Sequence, residues 1–200
     1  MSAPAQPERP VSLMGGFLSY LVPGLGQICQ GRVSKGLLFL VCLLGLFHLG
    51  QAMGGWMNVY IPSDNPPGDE RGADQLNQFR TQRLQQLPSN LYQRLHYLGQ
   101  FWIGMSAWPA LWQYFEMPAP AKETRPFLHS FQRCPSETEI NQFWVDSDKT
   151  PDLGWIYTVI AGVLNILVIY DAYAGPAHTG DPRDQKKEAK KETKPEESRA

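Results

Sequence analysis

The chain has 200 residues, of which 42% are hydrophobic and 18% are charged, and its formal net charge at pH 7 is -1. These averages are ordinary for a soluble protein, but the charged residues are concentrated between and after a few long apolar runs. The balanced charge and the absence of a basic, aromatic patch give no case for nucleic-acid binding. We therefore expect no nucleic-acid partner, and the apolar runs decide the fold.

Residues 1–10 contain three prolines among small and polar residues, a composition that predicts a disordered arm. Two apolar segments follow, at 12–29 and 36–55, on either side of a short basic loop. No charged residue lies between Arg9 and Arg32. Each segment is long enough to cross about 30 Å of hydrocarbon as a helix.

The first segment is interrupted by Pro23, Gly24 and Gly26, which weaken a helix. We predict that it either kinks or enters and leaves the membrane on one side. The second segment contains no proline and is rich in Leu and Phe, so it is predicted to span. Gly31 suits a helix end that needs a positive φ, and the two segments then form a tight helical hairpin.

The motif Tyr20-x-x-Pro23-Gly24-x-Gly26-Gln27, followed by Gly31-x4-Gly36, is similar to the Pro/Gly-marked helical hairpin of the TM-two domain group. The closer resemblance is to a bacterial family of uncharacterised multi-span membrane proteins, a domain of unknown function. That resemblance also covers the last apolar segment through Asp152-Leu-Gly-Trp, Asn165 and Tyr170-Asp171-Ala172. Position 27 is Gln where many relatives of the hairpin have His. The resemblance implies a multi-span helical membrane protein and brings no known activity with it.

The stretch 56–96 is predicted to be a polar loop. Apolar residues recur at helical spacing over 74–87, so we predict a short amphipathic helix there, ended by Pro88. The next segment, 97–115, is uncharged and carries Trp and Tyr near both ends, as membrane helices do at the interface. We predict that it spans, with an interfacial helix as the alternative.

The stretch 116–152 is predicted to be a second polar loop, in which Ser136 and Glu139 fit a capping box. The fourth apolar segment, 153–171, is barely long enough to span. Residues 176–200 contain seven Lys or Arg, six Asp or Glu and no large apolar residue. We predict that they form a disordered charged tail.

Polar and small residues inside the apolar segments are predicted to line helix contacts. Gly50-x-x-x-Gly54 would let two backbones approach closely, and His48 is expected to bond to a neighbouring helix. A stripe of small and polar residues occupies one face of the last segment: Thr158, Ala161, Gly162 and Asn165. Asn165 at membrane depth needs a partner, and such a polar group is also found on transport pathways. We favour packing over transport.

No pattern of catalytic, cofactor-binding or metal-binding residues is present. The histidines lie in four different segments without a second ligand at helical spacing: His48, His96, His129 and His178. Cys29 and Cys42 are predicted to be small buried residues, and Cys134 lies alone in a loop. We therefore predict no catalytic residue, no metal and no cofactor, and we expect that the protein is not an enzyme.

The fold prediction is an all-α membrane protein whose helical domain covers 11–175 and contains four hydrophobic segments, three or four of them spanning. The predicted role is structural or partner-binding, in a bacterial envelope assembly. The alternative is a small membrane transporter or a membrane-embedded enzyme that uses His48, Gln51, Asn165 or Asp171. The expected partners are the lipid bilayer and unidentified proteins. The distribution of Lys and Arg predicts a multi-pass protein of the inner (cytoplasmic) membrane with a cytoplasmic C-terminus.

Overall fold

The computed structural model describes residues 11–62, 73–115 and 131–175, with the backbone alone for residues 73–79. Within these ranges the regular elements are helical and no strand occurs, which confirms the all-α prediction for the described part. The elements in chain order are α1 (Leu13–Leu21), α2 (Leu25–Cys29), α3 (Val33–Met53), α4 (Ala73–Gln93), α5 (Leu95–Phe101), a 3-10 helix (Gly104–Ala107), α6 (Trp108–Phe115), α7 (Glu137–Asp146) and α8 (Thr150–Ala174). The predicted arm at 1–10 and the tail at 176–200 lie outside the described residues.

Helices α3 and α8 form the centre of the bundle and run antiparallel. At one end Lys35 Nζ donates to Asp171 Oδ1 over 2.7 Å, and at the other end Gly50 lies against Gly154. Among the described helices, these two are long and apolar enough to cross a membrane. The expectation of three or four spanning segments is therefore not confirmed.

The first apolar segment is broken into α1 and α2 around Gly24, whose φ is +85°. Both ends of this segment contact the last turn of α8. The backbone N–H of Ser12 donates to the carbonyl of Tyr173 (3.0 Å), and Gln30 Nε2 donates to the carbonyl of Ala172 (2.6 Å). The segment therefore starts and ends at the same end of the bundle, which is the one-sided arrangement that the sequence left open.

The third apolar segment is also broken, at Gly104, whose φ is +82°. Helix α5 runs along the first half of α8, where Gln100 Nε2 donates to Thr158 Oγ1 over 2.8 Å. The chain then reverses through the 3-10 helix, and α6 returns to α4, where Asn90 Nδ2 donates to Tyr114 Oη over 3.0 Å. The segment 97–115 is therefore not one continuous helix, and the prediction that it spans is not confirmed. Gly104 packs against backbone atoms of Tyr20 and Leu21 in α1, where a side chain would not fit.

The two stretches predicted as polar loops contain helices. Helix α4 continues through Pro88, which was predicted to end it. Proline removes one hydrogen bond inside a helix, and packing of Asn90 beyond it holds the last turn in place. In α7 the capping box is confirmed, because Ser136 Oγ accepts from the Glu139 N–H and Glu139 Oε2 accepts from the Ser136 N–H.

The bundle buries polar side chains beside its apolar core and exposes large apolar side chains on its two central helices. Fully buried side chains include amides and hydroxyls: Ser19, Gln27, Gln51, Gln100, Thr158 and Asn165. Exposed side chains of α3 and α8 are large and apolar: Leu37, Leu38, Val41, Leu49, Val163, Leu164 and Leu167. The predicted stripe on the last segment thus lies inside the helix contacts, as expected, and the apolar faces point outward.

Candidate functional site

Polar groups gather along one face of α8, and we call the set Ser19, Gln27, Asn165 and Asp171 the polar seam. The first three are fully buried, and Asp171 is partly buried. Asn165 lies in the middle of α8, and its Nδ2 donates to the carbonyl of Ser19 (3.2 Å) and to the carbonyl of Trp102 (2.8 Å). Those carbonyls belong to the ends of α1 and α5, where a helix leaves its last acceptors without partners. Asn165 therefore joins the two broken segments.

Gln27 connects the start of α2 to the seam. Its Oε1 accepts from Ser19 Oγ (2.9 Å), and its Nε2 donates to the carbonyl of Val168 (2.8 Å). Ser19 Oγ in turn accepts from the backbone N–H of Gly26 over 3.1 Å. A side chain of α1 thus caps the first turn of α2, and the reversal between these helices is held from inside.

Asp171 closes the seam at the end of the bundle. Its carboxylate lies 2.7 Å from Arg32 Nη2 and 2.7 Å from Lys35 Nζ, and it also accepts from Gln27 Nε2 over 3.2 Å. In the structure both cations bind one carboxylate, and the basic loop is tied to the last helix.

A second polar cluster lies toward the other end of α3, around Gln51, Asn58 and Gln100. Gln100 Nε2 donates to the carbonyl of Asn58 (3.2 Å), and Asn58 Nδ2 donates to the carbonyl of Gly50 (2.9 Å). The amide of Gln51 is fully buried and makes no hydrogen bond to the described residues. These contacts join α5 and the chain after α3 to the start of α8.

The residues of the alternative transporter or enzyme prediction are only partly brought together. Asn165 and Asp171 share the polar seam, and Gln51 belongs to the second cluster. His48 is exposed on α3, where its ring contacts Phe47 at 5.7 Å, and none of the described hydrogen bonds involves it. The prediction that His48 bonds to another helix is therefore wrong, since it points away from α8.

The remaining candidates are dispersed. Cys29 and Cys42 are exposed rather than buried, because they lie on the outward faces of their helices, and Cys134 is partly buried. His129 and His178 lie outside the described residues. In the described ranges, no three His, Cys, Asp or Glu side chains come together as a metal site would require.

Two glutamines have structural roles that the sequence did not indicate, although Gln27 belongs to the hairpin motif. Gln27 lies in an apolar run, and Gln132 lies in a stretch that was predicted as a loop. Gln132 is fully buried, donates to the carbonyl of Ser106 (2.6 Å) and accepts from the N–H of Ala110 (3.1 Å). It therefore fixes the reversal between α5 and α6 in the way that Gln27 fixes the reversal between α1 and α2.

The groups of the polar seam are suited to holding helices in position. Side-chain amides and the serine hydroxyl do not ionise near neutral pH, and the one carboxylate of the seam is bound by two cations. Such groups satisfy the carbonyl and N–H groups freed where helices break. The arrangement holds two interrupted segments against α8.

The chain was compared with known families, curated proteins and solved structures. The model of a family of unknown function, DUF6677, matches residues 14–185, a range that runs from α1 through the end of α8. No curated protein matches the chain significantly, and no solved structure does so either. The family match covers well over half of the sequence, and the chain belongs to DUF6677, a family of unknown function.

Proposed function

We propose that the chain is an integral membrane protein with a structural, partner-binding role in a bacterial envelope assembly. The observation that carries the proposal is the exposure of the apolar faces of α3 and α8. Only 28% of the apolar stretch of α3 and 33% of that of α8 are buried. The core helix of a soluble protein is mostly buried, and a cleavable signal sequence does not account for α8 near the other end of the chain.

The lengths of the two central helices suit this placement. At 1.5 Å per residue, the 21 residues of α3 and the 25 residues of α8 extend over about 31 and 37 Å. A bilayer has a hydrocarbon core about 30 Å thick. The breaks at Gly24 and Gly104 are both buried, as a membrane requires of non-helical backbone.

Replacing Leu167 with aspartate separates a membrane protein from a soluble one. Leu167 is 64% exposed on α8. In a bilayer an acidic residue there costs about 2–4 kcal/mol of insertion free energy, whereas an exposed Leu→Asp change on a soluble protein costs little. We expect the wild type to resist carbonate washing of membranes and Leu167→Asp to be extracted or degraded.

The control is Val145→Asp, because Val145 is 84% exposed on α7, outside the two long apolar helices. This variant should stay in the carbonate-resistant fraction. Release of the wild-type protein by carbonate, or equal behaviour of Leu167→Asp and Val145→Asp, would contradict membrane insertion.

The partner-binding part of the proposal is supported by an open groove of about 930 Å³ between the tip of α1, α4 and α6. Its walls are aromatic and aliphatic, with one cation: Tyr20, Arg80, Leu84, Phe101, Trp108, Leu111, Trp112 and Phe115. Arg80 is exposed. These features suit an apolar helix of a partner protein that carries an acidic residue opposite Arg80.

A photo-crosslinking side chain at Trp112 in the groove tests this binding mode. We expect it to capture a protein in intact membranes, and we expect Arg80→Glu to reduce the yield. The same probe at Tyr92, an exposed residue of α4 that does not line the groove, is the control. Equal capture at both positions, or capture of lipid alone at Trp112, would argue against a protein partner.

A second candidate function is transport. The segment α1–α2 enters from the Asp171 end of α8, the segment α5–α6 enters from the other end, and the two meet at Asn165. Interrupted segments that meet inside the bilayer form the substrate sites of several transporters. At the meeting point, however, Ser19 and Asn165 are fully buried, so the structural role is the better supported one.

We propose that both ends of the chain face the cytoplasm in the inner membrane. Ser12 contacts Tyr173, so both ends of the helical domain lie on one side of a two-span protein. The cations Arg32 and Lys35 lie at that same end, and the tail adds seven more Lys or Arg. A tag at residue 200 should then react with an antibody only after permeabilisation, and labelling of intact cells would reverse the orientation.

A further inference from the structure

A small cleft lies where α3 ends and α8 begins, at the opposite end of the bundle from Asp171. Its volume is about 70 Å³, and Arg94, Asn58 and several aromatic side chains line it, among them Tyr60, Trp144 and Trp155. Neither the polar seam nor the aromatic groove includes any of these residues. The cleft is therefore a separate feature.

Arg94 is held rigidly at this cleft by two contacts. Its Nε donates to His96 Nε2 over 2.7 Å, and its guanidinium carbon lies 3.6 Å from the ring centroid of Tyr60. His96 is itself packed against the ring of Trp155 at 5.6 Å. A stacked guanidinium with one nitrogen engaged keeps its remaining donors in a fixed direction.

The positive charge of Arg94 has no counterion in the described part of the chain. Its Nη1 is buried and makes no hydrogen bond there, and none of the ion pairs involves Arg94. The neighbouring acid Glu139 of α7 lies within 3.7 Å of Arg133 instead. Arg94 is partly buried. Its charge has therefore lost part of its water shell without gaining an anion among the described residues, which is unfavourable.

At neutral pH the protonation states of Arg94 and His96 leave the positive charge of Arg94 without a counterion among the described residues. Burial, helped by the charge of Arg94, lowers the pKa of His96 to about 4, so the imidazole is neutral and accepts from Arg94. Burial lowers the pKa of Arg94 to about 10, with the Cys134 thiol acting in the opposite direction. The guanidinium therefore stays charged between these values, and the described residues give the cleft one net positive charge.

The size and lining of the cleft restrict the ligand. A cleft of about 70 Å³ exceeds the space that one water molecule needs, so it has room for a small oxyanion group. Asn58 Oδ1 is buried and accepts no hydrogen bond from the described residues. This acceptor is closed to solvent, so Arg94 supplies the recognition in the cleft. A cation there suits a small oxyanion such as hydrogen phosphate or the phosphate of a phosphoglycerol headgroup.

We propose that Arg94 binds a phosphate group in this cleft, supplied either by an anionic phospholipid headgroup or by free phosphate. The ends of α3 and α8 lie at headgroup level if the two helices span, so the lipid source rests on the proposed membrane placement. Binding of free phosphate does not depend on the membrane placement. Guanidinium is a strong phosphate ligand because it donates two parallel hydrogen bonds and is always charged.

The test is thermal unfolding of the full chain in a neutral detergent, titrated with sodium phosphate or with short-chain phosphatidylglycerol. Sodium chloride at equal ionic strength is the salt control. A ligand that binds only the folded protein raises the unfolding temperature in a saturable way. We expect a saturable rise for the wild type with at least one of the two ligands, and the ligand that acts identifies the source.

The variants are Arg94→Met, Arg94→Lys and the control Arg133→Met, which removes an arginine already paired with Glu139. Arg94→Met should lose the saturable rise, Arg94→Lys should bind about tenfold more weakly because it lacks the planar fork, and Arg133→Met should respond as the wild type does. If Arg94→Met does not fold, the lysine variant decides. Absence of a saturable rise in the wild type, or an unchanged affinity in Arg94→Lys, would overturn the proposal. A saturable phosphate response in a protein that carbonate releases would uphold the phosphate site and refute the membrane placement alone.

Discussion

Replacing Gly162 with valine is expected to unfold the bundle or expel α5 from it. A Cβ atom at position 162 would overlap the carbonyl of Gly99 and lie 3.2 Å from the Cα of Gln100. The overlapping atoms belong to backbone, so no side-chain rotation relieves them. Forcing extra atoms into a packed contact costs about 1–3 kcal/mol and more when backbone must move. We expect a loss at the upper end or beyond, measured as thermal unfolding in detergent.

The matched control is Gly45, in the middle of α3. A Cβ at this position meets no atom within 4 Å, and Gly45 is not among the residues with positive φ. Gly45→Val should change the unfolding temperature little, and Gly45→Ala should raise it slightly because alanine favours the helix by up to about 1 kcal/mol. Similar losses at Gly162 and Gly45 would show that the close approach of α5 and α8 is not what stabilises the bundle.

The hairpin glycines extend the same test. Gly24 lies against the backbone of Gly36, and Gly26 lies against the backbone of Gly15, so valine at position 24 or 26 should also be severely destabilising. Gly31 has open space around it, but its φ is +81°, which strains any residue with a side chain. We expect Gly31→Val to cost less than Gly24→Val or Gly26→Val.

These glycine contacts show which features of helix packing can be predicted from composition and periodicity. The sequence predicts that Gly50 and Gly54 lie at a helix contact, and it predicts the small and polar face of α8. It does not predict that Gly154 fits between Gly50 and Gly54, or that Gly162 meets Gly99. A small residue indicates that something comes close, but the partner depends on how distant helices are arranged.

The breaks in the apolar segments were harder to predict for a different reason. Length without charge is a property of composition, and 97–115 satisfies it as well as 36–55 does. Whether an apolar segment forms one continuous helix depends on its local backbone geometry. Gly104 is left-handed because it fits against the Tyr20 carbonyl of α1, a tertiary contact that reverses the chain. Pro23 and Gly24 indicated a helix break in the first segment, whereas Gly104 alone was only a weak indication of a break in the third.

The sequence predicted that a buried polar residue would have hydrogen-bond partners, but it did not predict which groups those partners are. A single buried Asn was expected to find a partner, but its partners are backbone carbonyls of residues 19 and 102, which have no signature in a sequence. Likewise, the sequence showed only that the loop with Arg32 and Lys35 is basic, because their common partner Asp171 lies more than a hundred residues away. Side chains that satisfy broken helix ends can be identified only once the breaks are known.

Replacing Asn165 with leucine is expected to destabilise the junction of the two broken segments. The change preserves size but removes the donor shared by the Ser19 and Trp102 carbonyls. Each buried carbonyl left unpaired costs about 1–3 kcal/mol in soluble proteins. Hydrogen bonds between membrane helices contribute less, about 0.6 kcal/mol on average, because freed groups find other partners. The two breaks already occupy the nearby donors, so we expect a loss of about 1–3 kcal/mol in thermal unfolding.

The neighbouring change Ile166→Leu is the control, since it introduces the same residue into the same turn of α8 at a partly exposed position. It should leave the unfolding temperature nearly unchanged, and an equal effect of both substitutions would exclude the bridging role of Asn165. The pair also separates the two candidate functions. If the role is structural, any cellular defect of Asn165→Leu follows the reduced amount of folded protein and is rescued by raising expression. A variant that is abundant, inserted and stable yet inactive would instead place Asn165 on a transport pathway. In such a variant the fold has formed without Asn165, so the lost function would require its side chain to contact a substrate.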